Sequence, residues 1–305
     1  MGSEHIWAHR THDLSGLSYR FAVRTDDRAL GRLADALLAG LHDPDAAAPA
    51  AHVYSLTASD AAPGSVDVTR DGEPLACAQR PGDALGWVVR DVNRSAAEAS
   101  GDHLLFHAGA LEAGGIGVLV PGASGSGKST LVAGLARAGL GYLTDELVAL
   151  DMARGRLRAY PKPITVKPGS FAVLADMDPG LGAAPAAVAW AGAEWQVPVG
   201  DGTVCRIGRP CEPGVVVLPR YDAGAETALT ALSDTEAFLS LALNAVNLLP
   251  HGAAGAEALG RLVAGCRCYG LTMSDLGEAC RLVLELLAEP AAAAGDGGRG
   301  ADHAR

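Results

Sequence analysis

The segment that most constrains the fold is a glycine-rich loop between an apolar run and a helical pattern, GIGVLVPGASGSGKSTLVAGLARAG at residues 115–139. The run before the loop is almost wholly apolar, as expected for a strand buried on both faces of a sheet. The pattern after it predicts a helix from Lys128 that ends at Gly139. This order of strand, loop and helix predicts a P-loop α/β core.

The loop itself matches the pattern GxxxxGK[ST], in which glycines let backbone N–H groups approach a phosphate closely. The helix that follows directs its positive end at the same anion. We expect Lys128 to contact the β- and γ-phosphates and the Ser129 hydroxyl to bind Mg²⁺, so the predicted ligand is ATP with Mg²⁺. The predicted nucleotide-binding residues are Gly122, Ser124, Gly125, Ser126, Gly127, Lys128, Ser129 and Thr130.

An acidic pair, Asp145 and Glu146, follows the predicted P-loop helix in YLTDELVALD. Carboxylates at this point can reach the metal and the γ-phosphate. One of them can also accept a proton from an attacking hydroxyl. We find no LSGGQ-like signature downstream of the loop, which disfavours a transporter-type ATPase.

Residues 1–100 alternate strand and helix patterns and predict a small α+β module without a cluster of chemically reactive side chains. Residues 101–289 contain the P-loop core, with amphipathic helices toward the end. The tail at 290–305 is rich in Ala and Gly and is predicted to be disordered. We therefore predict an α/β fold with a small N-terminal module.

The composition excludes several functions. The formal net charge of −11 disfavours binding to nucleic acid or to an anionic membrane. No apolar run approaches the length of a membrane span, and the first residues lack the apolar stretch of a secretory signal. The six cysteines form no CxxC pair and are interpreted as reduced thiols. We expect a cytoplasmic protein.

The 46 residues from 106 to 151 resemble the HPr kinase/phosphorylase family, in which a histidine precedes the P-loop strand and an acidic pair follows the P-loop helix. His107, Lys128, Ser129 and Asp145 lie at the matching positions. The resemblance implies a fold like that of phosphoenolpyruvate carboxykinase (PEPCK) around the P-loop, and catalytic roles for His107 and Lys128. It also implies that Asp145 is the general base that deprotonates a serine hydroxyl. Glu146 stands where the family usually has a second Asp and is expected to bind the metal.

The chain departs from the bifunctional family members after the acidic pair. Their glutamate-bearing signature is replaced by YPKPITVKPGSF, which has no acidic residue, so we expect little phosphorolysis. Lys162 and Lys167 in this stretch are interpreted as a basic lip for a phosphate or an acidic acceptor. Arg220 follows a predicted buried strand and is a candidate arginine finger.

The predicted activity is therefore phosphoryl transfer from ATP to a serine hydroxyl of a peptide or protein. The later part of the chain is similar to a divergent branch of HPr-kinase-like proteins, some of which accompany lasso peptide pathways, so a ribosomal precursor peptide is one acceptor. Two alternatives stay open: a kinase for a small-molecule hydroxyl, such as a free amino acid or a sugar, and a non-catalytic ATP-sensing protein. The resemblance also makes a homo-oligomer an expectation to be tested.

Overall fold

The computed structural model describes residues 6–42, 48–178, 188–190, 194–203 and 205–289. Within these residues the chain forms two mixed sheets, a small third sheet and six α-helices. The predicted α/β class is therefore confirmed at this level. The tail at 290–305, which we predict to be disordered, lies outside the described residues.

The first sheet is built from the N-terminal part of the chain. Its strand order is β1-β3-β4-β5-β6, with β2 beside β3. The β3–β4 pair is parallel and the other pairs are antiparallel. Two helices, α1 and α2, pack on it. The elements are β1 (His9–Arg10), β2 (Leu14–Gly16), β3 (Tyr19–Thr25), α1 (Arg28–Leu37), β4 (His52–Ala58), β5 (Val66–Arg70), β6 (Glu73–Gln79) and α2 (Pro81–Ala99).

Local sequence signals fix the ends of these elements. The Asp27 carboxylate caps α1 by accepting hydrogen bonds from the N–H groups of Ala29 and Leu30. Asp71 and Gly72 both have positive φ, 52° and 89°, as a tight hairpin turn requires. The turn is predicted by its Asp-Gly pair, whereas the strand after it, β6, is not.

The second sheet carries the P-loop. Its order is β11-β10-β7-β8-β15-β17-β16, with β9 beside β7. Strands β8, β15 and β17 are mutually parallel in that order, while β7 runs antiparallel to β8. The strands are β7 (Leu104–Ala113), β8 (Ile116–Pro121), β9 (Gly141–Thr144), β10 (Leu147–Asp151), β11 (Arg156–Arg158), β15 (Glu212–Tyr221), β16 (Ala228–Ala231) and β17 (Arg267–Met273).

Helices cover both faces of this sheet. One hydrophobic cluster joins the sheet to α3 and α6, and another joins the opposite face to α4 and α5. Successive residues of β8 alternate between them, with Val118 and Val120 in the first cluster and Leu119 in the second. This double coverage explains why the strand is apolar throughout. The helices are α3 (Lys128–Arg137), α4 (Asp234–Asn244), α5 (Leu248–Ala264) and α6 (Leu276–Ala288).

The third sheet is inserted along the chain between strands β11 and β15 of the second sheet. It contains β12 (Ile164–Val166), β13 (Val188–Trp190) and β14 (Glu194–Val197), in the order β12-β14-β13. No sequence pattern predicts this sheet. Its strands have three or four residues each, which is too short for a periodic pattern to show.

Candidate active site

The GxxxxGKS segment forms a loop between β8 and α3, as predicted. Gly125 and Gly127 adopt left-handed backbone conformations with φ of 86° and 92°, which favour glycine at both positions. The loop borders a cavity of about 540 Å³. The loop residues that line this cavity are Ala123, Ser124, Gly125, Gly127, Lys128, Ser129 and Thr130.

Two predicted loop residues, Gly122 and Ser126, are not among the residues that line the cavity. The Ser126 hydroxyl is buried and has no hydrogen-bond partner among the described residues. A Cβ at Gly122 would lie 2.5 Å from that hydroxyl oxygen. Gly122 is therefore needed for the close approach of the loop to itself.

Three titratable side chains form a line along one side of the cavity. The Lys128 ammonium is almost fully buried and lies 2.7 Å from His107 Nε2. His107 Nδ1 in turn lies 3.4 Å from Glu146 Oε1. Because an ammonium can only donate, Nε2 is assigned as the acceptor and Nδ1 carries the proton that faces Glu146.

Burial sets the charge state of this line. It lowers the pKa of Lys128 to about 8, against the opposing effect of the nearby Glu146 and Asp145 carboxylates. Burial, followed by the charge of Lys128, also lowers the pKa of His107. The imidazole is therefore neutral at pH 7, consistent with the tautomer assigned above.

Asp145 lies behind the cavity and does not line it. Its side chain is fully buried, and one oxygen is 2.6 Å from Lys162 Nζ and accepts from the Tyr142 hydroxyl at 2.7 Å. The other oxygen accepts from the Thr165 N–H at 3.1 Å. Both oxygens are thus engaged in the protein interior, and the role of general base stays a prediction for this residue.

Lys162 occupies a different environment from the one that the sequence suggested. Instead of forming a solvated lip, its side chain is 1% exposed and pairs with Asp145. Its ammonium also donates to the Pro163 carbonyl at 2.9 Å. A buried carboxylate requires a buried partner charge, which is the physical reason for this position.

The other two predicted substrate-binding cations lie at the surface. Lys167 lines the mouth of the cavity, with Nζ 3.5 Å from the Ser124 hydroxyl. Arg220 is exposed, lies 3.8 Å from Asp222 and is not among the lining residues. The structure therefore brings Lys167 to the site and leaves Arg220 outside it.

Several lining residues are missed by the sequence analysis. Most come from the ends of β15 and β17 and from the segments that follow β12 and β17. Because β15 and β17 run parallel to the P-loop strand, their carboxyl ends meet the loop at the same edge of the sheet, and this signal could have found the lining residues at and after those ends. The residues on and after β12 have no such signal. The missed lining residues are Thr165, Gly169, Ser170, Val173, Tyr221, Met273, Ser274 and Leu276.

The described residues contain no group of three or more His, Cys, Asp or Glu side chains that could hold a metal ion. The Ser129 hydroxyl and the Glu146 carboxylate nevertheless both border the cavity. Mg²⁺ commonly takes one or two protein ligands and completes its shell with substrate phosphates and water. The donor set therefore fits a magnesium ion that arrives with a nucleotide.

No protein-family model and no curated protein matches the chain. Among solved structures, the chain is similar to the HPr(Ser) kinase/phosphatase from Coxiella burnetii, with 13% identity and a TM-score of 0.28. The match covers 60% of this chain and 93% of that chain. Among the described helices, none has the length and apolar character that a membrane span requires.

Proposed function

We propose that the chain is a kinase that transfers the γ-phosphoryl group of ATP to a serine hydroxyl of a peptide or protein, on a P-loop core of the PEPCK type. The observation that carries this proposal is the line of side chains in one cavity. Lys128 of the phosphate loop contacts His107, and His107 faces the half-exposed carboxylate of Glu146. A phosphate site and a proton acceptor thus border the same cavity.

The phosphate end of the cavity uses the loop and the start of α3. Backbone N–H groups of the loop and the N-terminus of α3 favour an anion. Lys128 adds a positive charge for the β- and γ-phosphates, and phosphate binding would draw its ammonium away from His107. A bound Mg²⁺, with the Ser129 hydroxyl as its protein ligand, would neutralise charge on the phosphate oxygens and would leave the Glu146 carboxylate without a metal.

At the other end, Glu146 is the carboxylate with access to an incoming hydroxyl. The serine oxygen attacks the γ-phosphorus, the bond from phosphorus to the ADP oxygen breaks, and the hydroxyl proton passes to a carboxylate oxygen. His107 donates from Nδ1 toward Glu146 and orients it. We therefore assign the base to Glu146 and keep Asp145 as the alternative that the family resemblance implies.

Lys167 supports an acidic acceptor. Its exposed ammonium lies at the mouth of the cavity beside Ser124. A carboxylate next to the reacting hydroxyl, as in a peptide with acidic neighbours or a C-terminal serine, would pair with it. Precursor peptides of the lasso type are included in this class. We expect the forward reaction to dominate, because no acidic residue replaces the glutamate-bearing signature of the bifunctional enzymes.

The test is a transfer assay with ATP, Mg²⁺ and serine peptides of varied charge, read by mass spectrometry as the gain of one phosphoryl group. Lys128→Ala should abolish ATP binding and transfer. Glu146→Gln should keep ATP binding while transfer falls by about 10² to 10⁴-fold, the range for loss of a general base. Glu212→Gln, at an exposed glutamate outside the cavity, is the matched control.

Other outcomes separate the alternatives. Full transfer in Glu146→Gln together with loss in a folded Asp145→Asn protein would assign the base to Asp145. Phosphorylation of a free amino acid or sugar, with every peptide unmodified, would identify a small-molecule kinase. Tight ATP binding without transfer to any hydroxyl would identify an ATP-sensing protein.

A further inference from the structure

The cavity has an apolar wall that phosphoryl transfer does not use. It is formed by four lining side chains that belong neither to the phosphate loop nor to the line of Lys128, His107 and Glu146. They are Val173, Tyr221, Met273 and Leu276. Met273 and Leu276 are buried, whereas Tyr221 is 56% and Val173 49% exposed. Large apolar side chains half exposed at the mouth of a cavity are typical of a ligand-binding surface.

Strand order places two members of this wall, Tyr221 and Met273, opposite the reacting groups. The P-loop strand β8 lies between β7, which carries His107, and β15, which ends at Tyr221. Strand β17, which ends at Met273, lies one position further from His107. The phosphate loop therefore has the proton-accepting groups on one side and Tyr221 and Met273 on the other.

The wall is built directly against the loop. The Tyr221 N–H donates to the Ser126 carbonyl at 3.0 Å. Met273 Cε would lie 2.5 Å from a Cβ at Gly127. Leu276 approaches Gly134, two turns into α3, with Cδ1 2.8 Å from the position of a Cβ there. A ligand anchored on the loop by phosphates is thus held beside the wall.

We propose that this wall, formed by Tyr221, Met273, Val173 and Leu276, receives the base of the nucleoside triphosphate. The proposal rests on the proposed function, since it assumes that the loop holds a triphosphate. If the γ-phosphate points toward Glu146, the nucleoside extends to the opposite side of the loop, where these side chains lie. A planar base can stack on the Tyr221 ring and cover the apolar atoms below it.

The chemistry of the wall also determines its selectivity. The hydroxyl of the wall, that of Tyr221, can both donate and accept and can therefore pair with the edge of either purine. The neighbouring Ser274 hydroxyl lies 3.2 Å from the Thr227 hydroxyl and can satisfy its hydrogen bonding there. Stacking and apolar contact do not distinguish one base from another, because every base has an aromatic face. We therefore expect ATP and GTP to bind with similar affinity, and both to bind more tightly than inorganic tripolyphosphate.

The experiment compares ATP and tripolyphosphate binding by calorimetry, with Mg²⁺, in the full chain and its variants. Tyr221→Ala and Met273→Ala should each weaken ATP binding about tenfold, the effect of losing about 1.4 kcal/mol of contact. Tripolyphosphate affinity should stay within twofold, roughly, of the wild-type value. Tyr221→Phe, which keeps the ring, should bind ATP with the affinity of the wild type. Leu249→Ala, at a 92% exposed leucine outside the cavity, is the control.

The two ligands separate this proposal from the proposed function. If neither ATP nor tripolyphosphate binds the wild-type chain, the triphosphate site itself is wrong. If both bind but Tyr221→Ala leaves ATP affinity unchanged, the base lies elsewhere. A loss of affinity for both ligands in Tyr221→Ala would mean that Tyr221 acts on the loop and not on the base. Because Tyr221 is exposed, its alanine variant should fold even where Met273→Ala does not.

Discussion

The site contains two buried lysines in opposite situations. Lys162 has a carboxylate, that of Asp145, within 2.6 Å. Lys128 has a neutral imidazole as its nearest partner at 2.7 Å. Buried charges are stable when they are paired and costly when they are not. By pairing with Asp145, Lys162 is suited to stabilise the turn that also bears Glu146. Lys128 has no carboxylate as its nearest partner and is therefore suited to bind an anion.

This difference predicts how stability depends on pH. Burial lowers the pKa of Lys128 from 10.5 to about 8 in the folded state. Between these two values the unfolded chain binds more protons, so the folded state gains stability as the pH rises. A Lys128→Met variant lacks this gain. The stability of the wild type relative to the variant should therefore increase between pH 7 and pH 10.5 by on the order of 3 kcal/mol.

Urea unfolding of both proteins at several pH values measures this change. Lys167→Met removes an exposed lysine from the same cavity and serves as the matched control. Parallel curves for the wild type and Lys128→Met would contradict the assignment of a buried, weakly paired ammonium.

At the scale of elements, the sequence predicts best where a chemical motif coincides with periodicity. The phosphate loop and the start of α3 both follow from local signals. The acidic pair follows β9, the strand after the P-loop helix, but the pattern does not say which carboxylate faces the cavity. Neighbouring residues point in different directions, and the partner of Asp145, Lys162, comes from a segment with no periodicity. The third sheet is missed because its strands, too, are too short to show a periodic pattern.

The strand that carries His107 is anchored from the far end of the sequence. The Asn247 side chain accepts from the Leu105 N–H and donates to the His103 carbonyl, both at 2.8 Å. Asn247→Ala would leave a backbone donor in β7 without this partner, two residues before His107. We expect a loss of about 1 to 3 kcal/mol in the free energy of unfolding, and weaker phosphoryl transfer because His107 is less well positioned.

Asn244 provides the comparison for this change. It is similarly half buried, but its side chain donates to the Ser240 carbonyl inside its own helix. Asn244→Ala should change stability by no more than about 0.5 kcal/mol. Thermal unfolding of the two variants, followed by the transfer assay, tests the prediction. Equal effects in both would show that the anchor on β7 is unimportant.

For the whole molecule, the N-terminal module and the P-loop part share one hydrophobic cluster. The core of the module includes Leu105, Leu147 and Ala149 from the second sheet. Tyr160, fully buried, belongs to the same cluster and its hydroxyl donates to Asn93 Oδ1 on α2 at 2.6 Å. A boundary at residue 100, as predicted from the strand and helix patterns, therefore falls between parts that bury each other's surface.

A fragment of residues 101–289 tests whether that boundary separates independent units. Without the module, the apolar face formed by Leu105, Leu147 and Ala149 would meet water, and Tyr160 would lose its partner. Each large apolar side chain so exposed costs about 1.5 to 3 kcal/mol, which is a large share of a stability of about 5 to 15 kcal/mol. The fragment should therefore aggregate or bind a hydrophobic dye, and it should show no cooperative thermal transition.

A chain of residues 1–289, which keeps both parts, is the control and should unfold in a single transition. A fragment that melts cooperatively and binds ATP as the full chain does would show instead that the P-loop part folds alone.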